Sequence, residues 1–241
     1  MTITDKTILV TGANRGLGQA LVEEALERGA QRVYAASRQR FAHPDDRVVP
    51  LIVDVTVWTQ IQAAAERIDS LDILINNAGL SLPDDLSDRA AFEQHFDVNV
   101  YGPLMVTQAL LPSLTESRGR IINVVSIGAF AAVPILPAYS ASKAAAFSVT
   151  QSQRALLAGR GVKVHAVLPG PIDTDMIRDF PIPKAPPKSV AQAIFDGVEN
   201  EDEEIFPDPF SEMQAESWRM GVAKELERQN AALLPAEPIA A

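Results

Sequence analysis

The feature that most constrains the fold is a glycine-rich turn that joins a β-prone run to a helix near the start of the chain. The run Thr7–Val10 leads directly into Thr11–Gly18, and Gln19–Arg28 then has apolar residues at helical spacing and stops at Gly29. A strand, a glycine turn and a helix in this order are typical of an α/β unit that binds phosphate. The spacing G-x-x-x-G-x-G departs from the usual dinucleotide pattern, so the turn alone is equally compatible with an ordinary strand-to-helix connection.

Each glycine of this turn has its own predicted task. Gly12 is expected to make the tight turn, Gly16 to let the backbone approach phosphates, and Gly18 to allow close packing of helix on strand. The free N–H groups at the start of the helix would then face a pyrophosphate. The same predicted site includes Asn14, Arg15 and Leu17.

A second pattern combines a tyrosine, a lysine and a serine. Tyr139 and Lys143 are four residues apart in a run of good helix formers, so both side chains leave one face of a helix. A nearby ammonium lowers the pKa of a phenol, which makes its proton transferable. Ser126 follows the apolar run Ile121–Val125, a predicted strand, and ligands bind at such strand ends. Together with the glycine turn, this favours a reactive site over a solvated helical face.

These residues resemble the short-chain dehydrogenase/reductase family, over nearly everything from Thr7 to about Pro207. Further matches are Asp54-Val55, Asn76-Asn77-Ala78-Gly79, Asn99, and Pro169-Gly170 with Thr174. The resemblance implies an α/β fold, a doubly wound (Rossmann-like) parallel sheet with strand order 3-2-1-4-5-6-7, as one domain over residues 1–241. Pro50 in the third strand agrees with this order, because proline is tolerated at a sheet edge and not in its centre.

The resemblance also implies roles for four residues. Tyr139 is the general acid for carbonyl reduction and the base for alcohol oxidation, and Ser126 hydrogen-bonds the substrate oxygen. Lys143 holds the ribose hydroxyls beside the nicotinamide and lowers the tyrosine pKa. Asn99 binds a water through its backbone carbonyl.

Pro103 adds a physical prediction to the last of these roles. It stands four residues after Asn99, inside a predicted helix from about Phe92 to Leu111, and proline has no N–H to donate to a carbonyl four residues earlier. We therefore expect a free Asn99 carbonyl, a local kink and a bound water. The alternative is that Pro103 only bends the helix for packing.

The cofactor implied by the resemblance is NADP(H) in preference to NAD(H). An acidic residue ends the second strand in NAD-preferring members, whereas this chain has Ser37 followed by Arg38, with Arg15 as a second cation for a 2′-phosphate. The alternative is that these arginines are solvated charges. The remaining predicted cofactor residues are Asp54, Val55, Asn77, Ala78 and Gly79 near the adenosine, and Pro169, Ile172 and Thr174 near the carboxamide.

The predicted substrate pocket is apolar, which favours a hydrophobic ketone, aldehyde or secondary alcohol. Its residues are Phe130, Val133, Ile135, Leu136, Met176, Ile177 and Phe180, although the same side chains could cover the core or a subunit contact. The sequence thus predicts an NADPH-dependent carbonyl reductase, reversible as an alcohol dehydrogenase. The alternatives are a 3-oxoacyl-carrier-protein reductase, with Arg118, Arg120 and Arg178 as candidate carrier contacts, and a non-catalytic nicotinamide-binding regulator.

Composition limits the partners. A net charge of −10 disfavours nucleic acid and anionic membranes, and the absence of cysteine excludes disulfides and thiolate chemistry and is compatible with the cytoplasm. The histidines are too separated for a metal motif, and no run is apolar enough to span a membrane. Family members form homodimers or homotetramers, and we expect the same here. A helix is predicted over about Ser211–Asn230, followed by a tail (231–241) that is either disordered or ordered by a partner.

Overall fold

The structure is a computed structural model that describes residues 1–234, so most of the predicted tail (231–241) lies outside the described residues. The strands are β1 Thr7–Thr11, β2 Arg32–Ser37, β3 Val48–Ile52, β4 Ile73–Asn76, β5 Arg120–Val124, β6 Lys163–Val167 and β7 Glu204–Ile205. The helices are α1 Gly16–Glu27, α2 Trp58–Ala65, α3 Arg89–Phe96, α4 Gly102–Glu116, α5 Pro137–Ala158, α6 Pro187–Glu199, α7 Pro209–Glu212, α8 Ala215–Arg219 and α9 Val222–Ala231. No helix among the described residues is long and apolar enough to cross a membrane.

The strands form one parallel sheet in the predicted order, β3-β2-β1-β4-β5-β6-β7. Pro50 lies in the edge strand β3, where its missing N–H costs no ladder bond on the open side. The strand order reverses between β1 and β4, and in open α/β sheets ligands bind outside the carboxyl ends of the strands at that point. The fold therefore places the glycine turn after β1 and the loops after β4 and β5 around one crevice.

Two apolar cores cover the two faces of the sheet, because successive strand residues point to opposite sides. Ile8 and Val10 of β1 pack with α1 and α6 on one face, and the intervening Leu9 packs with α2 and α4 on the other. Phe195 of α6 is fully buried on the first face, and Leu114 of α4 on the second. Burial on both faces explains why the strands read as continuous apolar runs.

The carboxyl-terminal segment differs from its prediction. The expected helix over Ser211–Asn230 is three short helices, α7 to α9, and this prediction was wrong. Asp208 caps α7 through the N–H groups of Phe210 and Ser211, which starts a helix earlier than expected. Gly221 has extended backbone at the start of α9 and so breaks the helical path.

A buried charge network fastens α9 to β7 and α5. The Lys224 ammonium lies 2.7 Å from Glu203, 2.9 Å from Glu204 and 3.1 Å from Glu227, and it is 2% exposed. Arg154 of α5 pairs with Glu204 at 2.8 Å and also contacts Glu227. The three carboxylates are close enough to hold a metal ion, but the Lys224 ammonium contacts all of them.

An aromatic cluster joins α8 to the loop after β5. The Trp218 ring stacks on Phe130 with 4.5 Å between centroids and meets Phe147 edge-on at 5.2 Å. Phe130, which was predicted to line the substrate pocket, packs its ring in this cluster together with Phe206, and it is partly buried there; its place in the pocket stays a prediction. Contacts between aromatic rings stabilise the fold through the large apolar area that they bury and through the ring–ring interactions themselves.

We expect Trp218→Ala to destabilise the protein by about 3 kcal/mol, since it removes a large aromatic side chain from a packed cluster. The measurement is urea unfolding followed by far-ultraviolet circular dichroism. Trp58→Ala is the matched control, because the only other tryptophan is 37% exposed at the start of α2. Equal losses in the two variants would show that the cluster adds nothing to stability.

Candidate active site

The glycine turn has the geometry that its sequence predicts. Gly12 and Gly16 have positive φ angles of 65° and 55°, a conformation that favours glycine. A Cβ on Gly18 would lie 2.0 Å from the Gly12 carbonyl oxygen, so only glycine allows α1 to pack this closely on β1. The residue before α1, Arg15, gives no side-chain cap, which leaves the N–H groups of the first turn for an anion. Leu17 is buried in the core, and Asn14 is half-buried in the turn.

Hydrogen bonds from the end of β4 hold this turn in place. The Asn77 side-chain amide donates to the backbone oxygens of Thr11 (2.8 Å) and Gly12 (3.3 Å). The Thr11 hydroxyl accepts from the N–H groups of Asn77 and Ala78, both at 3.0 Å. The stretch Asn77–Gly79 therefore runs beside the turn, and the Asn77 side chain is used for structure; the role of this stretch as a cofactor lining stays a prediction. The role of Thr11 was not predicted, because its partners lie 66 and 67 positions later in the chain.

The ends of β2 and β3 carry the residues predicted near the adenosine. Ser37 is buried and donates its hydroxyl hydrogen to the Gln39 backbone oxygen, whereas the following Arg38 is exposed. Asp54 accepts from the Thr56 N–H (2.9 Å) and hydroxyl (2.7 Å), so its carboxylate also shapes the local turn before α2. Val55 is buried, and its side chain packs against Gly102. A Cβ on Gly102 would lie only 2.9 Å from the Val55 side chain.

Arg15 has a partner that its sequence position did not reveal. Its guanidinium lies 2.9 Å from the Asp175 carboxylate, which also contacts Arg178. The two arginines lower the pKa of Asp175, and the Arg15 bond is the larger cause. Arg15 therefore joins the glycine turn to the loop after β6, while Arg38 is an exposed cation directly after β2.

Ser126, Tyr139 and Lys143 come together at the carboxyl end of β5. The Ser126 hydroxyl oxygen accepts from the Gly128 N–H at 3.0 Å, which leaves its hydrogen to be donated elsewhere. The Lys143 ammonium lies 5.7 Å from the centre of the Tyr139 ring and donates to the Val124 backbone oxygen at 2.9 Å. Lys143 is 5% exposed, although lysines are almost never this buried without a task or a partner.

Burial sets the proton affinities of this group. It raises the pKa of Tyr139, and the Ser126 hydroxyl offsets part of that increase. Burial also lowers the pKa of Lys143 to about 8. The prediction that Lys143 lowers the tyrosine pKa is not what the structure shows, because the ammonium is directed to the Val124 carbonyl and desolvation of the phenol dominates.

Asn99 lies in an irregular part of the long helix. Five residues, Asp97–Tyr101, form a π-helical turn between α3 and α4, so the helix predicted from Phe92 to Leu111 is interrupted where we expected a kink. The α-helical donor to the Asn99 carbonyl would be Pro103, which has no N–H. The buried Asn99 side chain donates to the Leu80 oxygen and to the Ser142 hydroxyl, both at 2.9 Å, and accepts from the Leu80 N–H at 2.8 Å.

The glycine after β4 brings two of these groups together. A Cβ on Gly79 would lie 3.5 Å from the Asn99 carboxamide oxygen and 3.8 Å from the Lys143 ammonium. Asn99 and Lys143 therefore meet beside the backbone that follows β4. Ser142, which is fully buried and joins Asn99 to α5, was missed by the sequence reasoning because nothing local distinguishes it from other helical serines.

The stretch after β6 forms a short parallel bridge with the segment before α6. The Asp173 N–H donates to the Ala185 oxygen and the Ala185 N–H to the Pro171 oxygen, both at 2.9 Å, in a parallel bridge centred on Ile172. In such a bridge the central residue's own N–H and carbonyl point to the opposite side. Thr174 contacts the glycine turn, since a Cβ on Gly16 would lie 3.1 Å from its methyl group. Pro169, at the end of β6, accepts from the Ile127 N–H at 3.1 Å.

The other predicted pocket residues lie in the segments before α5 and after Thr174. Ile135 is 59% exposed, Met176 45% and Val133 39%, so these apolar side chains are available for contact. Leu136, Ile177 and Phe180 are half-buried.

Comparison with known proteins agrees with this geometry. The chain matches the short chain dehydrogenase family over residues 6–183. An uncharacterized oxidoreductase of Staphylococcus saprophyticus is 36% identical over 210 residues, covering 79% of this chain and 90% of that protein. A similar oxidoreductase of Staphylococcus aureus strain USA300 is 34% identical over 210 residues, covering 80% of this chain and 90% of that protein.

Two solved structures are also similar. A short chain dehydrogenase from Burkholderia cenocepacia J2315, in complex with NADP, is 38% identical with a TM-score of 0.87, covering 98% of this chain and all of that one. A short-chain dehydrogenase from Streptomyces avermitilis is 25% identical with a TM-score of 0.81, covering 95% of this chain and 98% of that one. The chain therefore belongs to the short-chain dehydrogenase/reductase family and is an NAD(P)-dependent oxidoreductase.

The residues present fit a dinucleotide. The turn has no side chain at Gly12 or Gly16. A Cβ on Gly12 would lie 3.0 Å from the Ala78 backbone, and a Cβ on Gly16 would lie 3.1 Å from the Thr174 side chain. The uncapped start of α1 and the cation Arg15 complement a pyrophosphate.

Proposed function

We propose that the protein is an NADPH-dependent carbonyl reductase, reversible as an alcohol dehydrogenase, that acts on hydrophobic ketones, aldehydes or secondary alcohols. One observation carries the proposal: a phenol, a hydroxyl and a buried ammonium meet at the carboxyl end of β5, beside a glycine turn that fits a dinucleotide. A carbonyl oxygen needs a proton and a hydrogen bond as it becomes an alkoxide, and this group can provide both.

The chain's residues would handle the substrate oxygen while the bound nicotinamide supplies or accepts the hydride. Tyr139 donates its proton to the oxygen during reduction, and burial favours the neutral phenol until then. Ser126 donates a hydrogen bond to the same oxygen, because its own oxygen is held by the Gly128 N–H. Both groups act on charge that develops only in the transition state, where stabilisation increases the rate.

Lys143 and Asn99 would support this proton donor. With a pKa of about 8, Lys143 is mainly an ammonium at neutral pH and can hold the ribose hydroxyls of the cofactor. Asn99 holds a water through its carbonyl in this proposal, because Pro103 has no N–H and so removes the α-helical donor.

The proposed preference for NADPH depends on the end of β2. Ser37 has no negative charge to repel a 2′-phosphate, and the exposed Arg38 can form charge-assisted hydrogen bonds with it. The similar Burkholderia cenocepacia protein, which is 38% identical, was solved with NADP. Arg15 provides a second positive charge in this proposal and shares it with Asp175.

The remaining cofactor contacts follow the order of the strands. Asp54 and Val55 would lie at the adenine, and Asn77–Gly79 would line the adenine ribose with their backbone. On the nicotinamide side, the Ile172 amide points away from its bridge with Ala185 and can bind the carboxamide together with Thr174 and Pro169.

The structure disfavours a carrier-protein reductase. Such an enzyme needs a basic surface at the mouth of the site, and Arg118 and Arg120 were candidates. Arg120 begins β5, so both lie at the opposite end of that strand from Ser126. Arg120 is also engaged by Glu201 at 3.2 Å, and Arg178 contacts Asp175.

We also propose that the protein forms a homodimer or homotetramer and works in the cytoplasm. The helices next to the site leave apolar side chains exposed, with Tyr101 52% and Leu156 51% exposed. The exposed Ala144 lies on the same α5 helix as Leu156. Small and apolar side chains at a helix surface suit packing against a second copy.

Steady-state assays test the proposed function. The absorbance of NADPH is followed with aryl ketones, oxoesters and oxoacyl thioesters, and turnover of the hydrophobic ketones is expected. Turnover restricted to acyl thioesters would favour the carrier-protein reductase. If no substrate is turned over and Tyr139→Phe binds NADPH as the wild type does, the chain is a nicotinamide-binding regulator.

A further inference from the structure

The helix that carries Tyr139 and Lys143 has no cap of its own. Leu136 is the residue before α5 and forms no side-chain cap, and Pro137 takes the first helical position. Tyr139 is therefore in the first turn, where the N–H groups have no helical partners and the backbone frays most easily. A proton donor in this position needs support from another part of the chain.

Asp84 supplies that support from the loop after β4. Its two carboxylate oxygens accept from the Ala138 N–H at 3.2 and 3.3 Å, across 54 residues of sequence. Ala138 directly precedes Tyr139. A carboxylate at this place satisfies a free N–H and complements the positive end of the helix dipole.

The loop that carries Asp84 is held at three further points. Leu80 exchanges hydrogen bonds with the Asn99 side chain, and the Leu82 N–H donates to the fully buried His95 at 3.0 Å. Asp84 also accepts from the Leu86 N–H at 3.2 Å, across a turn in which Leu86 has a positive φ of 67°. The carboxylate is thus presented by an anchored loop, and it connects the Asn99 region to the first turn of α5.

We propose that Asp84 is a positioning residue for the reaction: it caps α5 from outside the helix and so holds the Tyr139 phenol in place. This inference rests on the proposed function, in which Tyr139 is the proton donor. In this proposal Asp84 contacts neither substrate nor cofactor.

The test compares three variants by kcat, KM for ketone and NADPH, and thermal unfolding. Asp84→Ala removes the acceptor, and kcat is expected to fall about tenfold, the effect of losing a helix cap of ordinary strength. Asp84→Asn keeps one acceptor oxygen and should retain kcat within about twofold. Asp85→Ala is the matched control, because the neighbouring carboxylate binds only within its own turn, at Ser87, and should leave kcat unchanged.

The expected pattern is a loss in kcat with unchanged KM values, and a fall of a few degrees in the unfolding temperature of Asp84→Ala, because the loss of a helix cap lowers the stability of the fold. A loss confined to KM for the ketone would show that Asp84 touches substrate and would overturn the proposal. So would a kcat loss in Asp84→Asn as large as that in Asp84→Ala, or an equal loss in Asp85→Ala. If Asp84→Ala does not fold, Asp84→Ser gives the same comparison, since its hydroxyl is too short for the carboxylate's reach.

A second measurement separates this proposal from the proposed function. Hydrogen exchange of the Ala138 and Tyr139 amides should be faster in Asp84→Ala than in the wild type, and unchanged in Asp85→Ala. If no ketone is reduced by the wild type, the proposed function fails while this exchange result still decides whether Asp84 caps α5. Unchanged exchange at both amides would overturn the capping role.

Discussion

Tyr139→Phe should lower kcat for ketone reduction about a thousandfold while leaving the Kd for NADPH within about twofold of the wild type. The phenylalanine ring keeps the packing of the phenol, but it has no proton to donate to the substrate oxygen. The glycine turn and Lys143, which would hold the cofactor, are unchanged. The measurements are steady-state turnover and a titration of NADPH fluorescence.

The chain provides a control for this substitution. Tyr101 is the exposed tyrosine of the π-helical turn, at 52% exposure, and Tyr101→Phe should keep full activity. Retention of more than a tenth of kcat by Tyr139→Phe would mean that the proton comes from another group. A loss of NADPH binding in the same variant would assign Tyr139 to the cofactor alone.

Arg38→Ala should raise the KM for NADPH about thirtyfold and change the KM for NADH less than twofold, given about 2 kcal/mol for a charge-assisted hydrogen bond. Of the two cofactors, only NADPH has a 2′-phosphate. The neutral Ser37 neither attracts nor repels this phosphate by charge, so Arg38 provides the positive charge. Arg38 is exposed and accessible, whereas Arg15 is already paired with Asp175. The measurement is KM for each cofactor at a saturating ketone concentration.

Arg40→Ala is the matched control, because Arg40 is an exposed arginine two residues further along the same loop. It should affect both cofactors little. Equal increases in KM for NADPH and NADH in Arg38→Ala would contradict the assignment of the 2′-phosphate. Equal effects of Arg38→Ala and Arg40→Ala would indicate general attraction of an anionic cofactor to the loop.

Local patterns were sufficient for several features of this molecule. The glycine turn, the edge position of Pro50 and the interruption near Pro103 all depend on backbone geometry that glycine or proline imposes directly, whereas the full strand order was implied by the family resemblance. The break of the carboxyl-terminal helix at Gly221 was missed. The residues of this segment favour a helix as far as Asn230. The contacts of Lys224 and Trp218 with other parts of the fold, and not helical propensity, determine where the chain runs.

Contacts between distant segments were beyond the reach of the same patterns. Asp175 forms an ion pair with the Arg15 guanidinium, and the Phe130 ring packs in the aromatic cluster. Asp84 caps a helix 54 residues later in the chain. The structure shows no side-chain cap at Leu136, and the acceptor that serves the first turn of α5 comes from a loop far away in the sequence.

The sequence by itself determined the family and the parallel sheet, and it predicted the reactive group, because glycine turns, strand ends and a Tyr-x-x-x-Lys helix are local and repeat the same geometry wherever they occur. Only the tertiary structure decided the proton affinities and the support of that group. Burial raises the pKa of Tyr139, the Lys143 ammonium is directed to Val124, and a carboxylate from another loop holds the first turn of α5. Desolvation and long-range hydrogen bonds depend on which segments meet in space, and the spacing of residues along the chain does not contain that information.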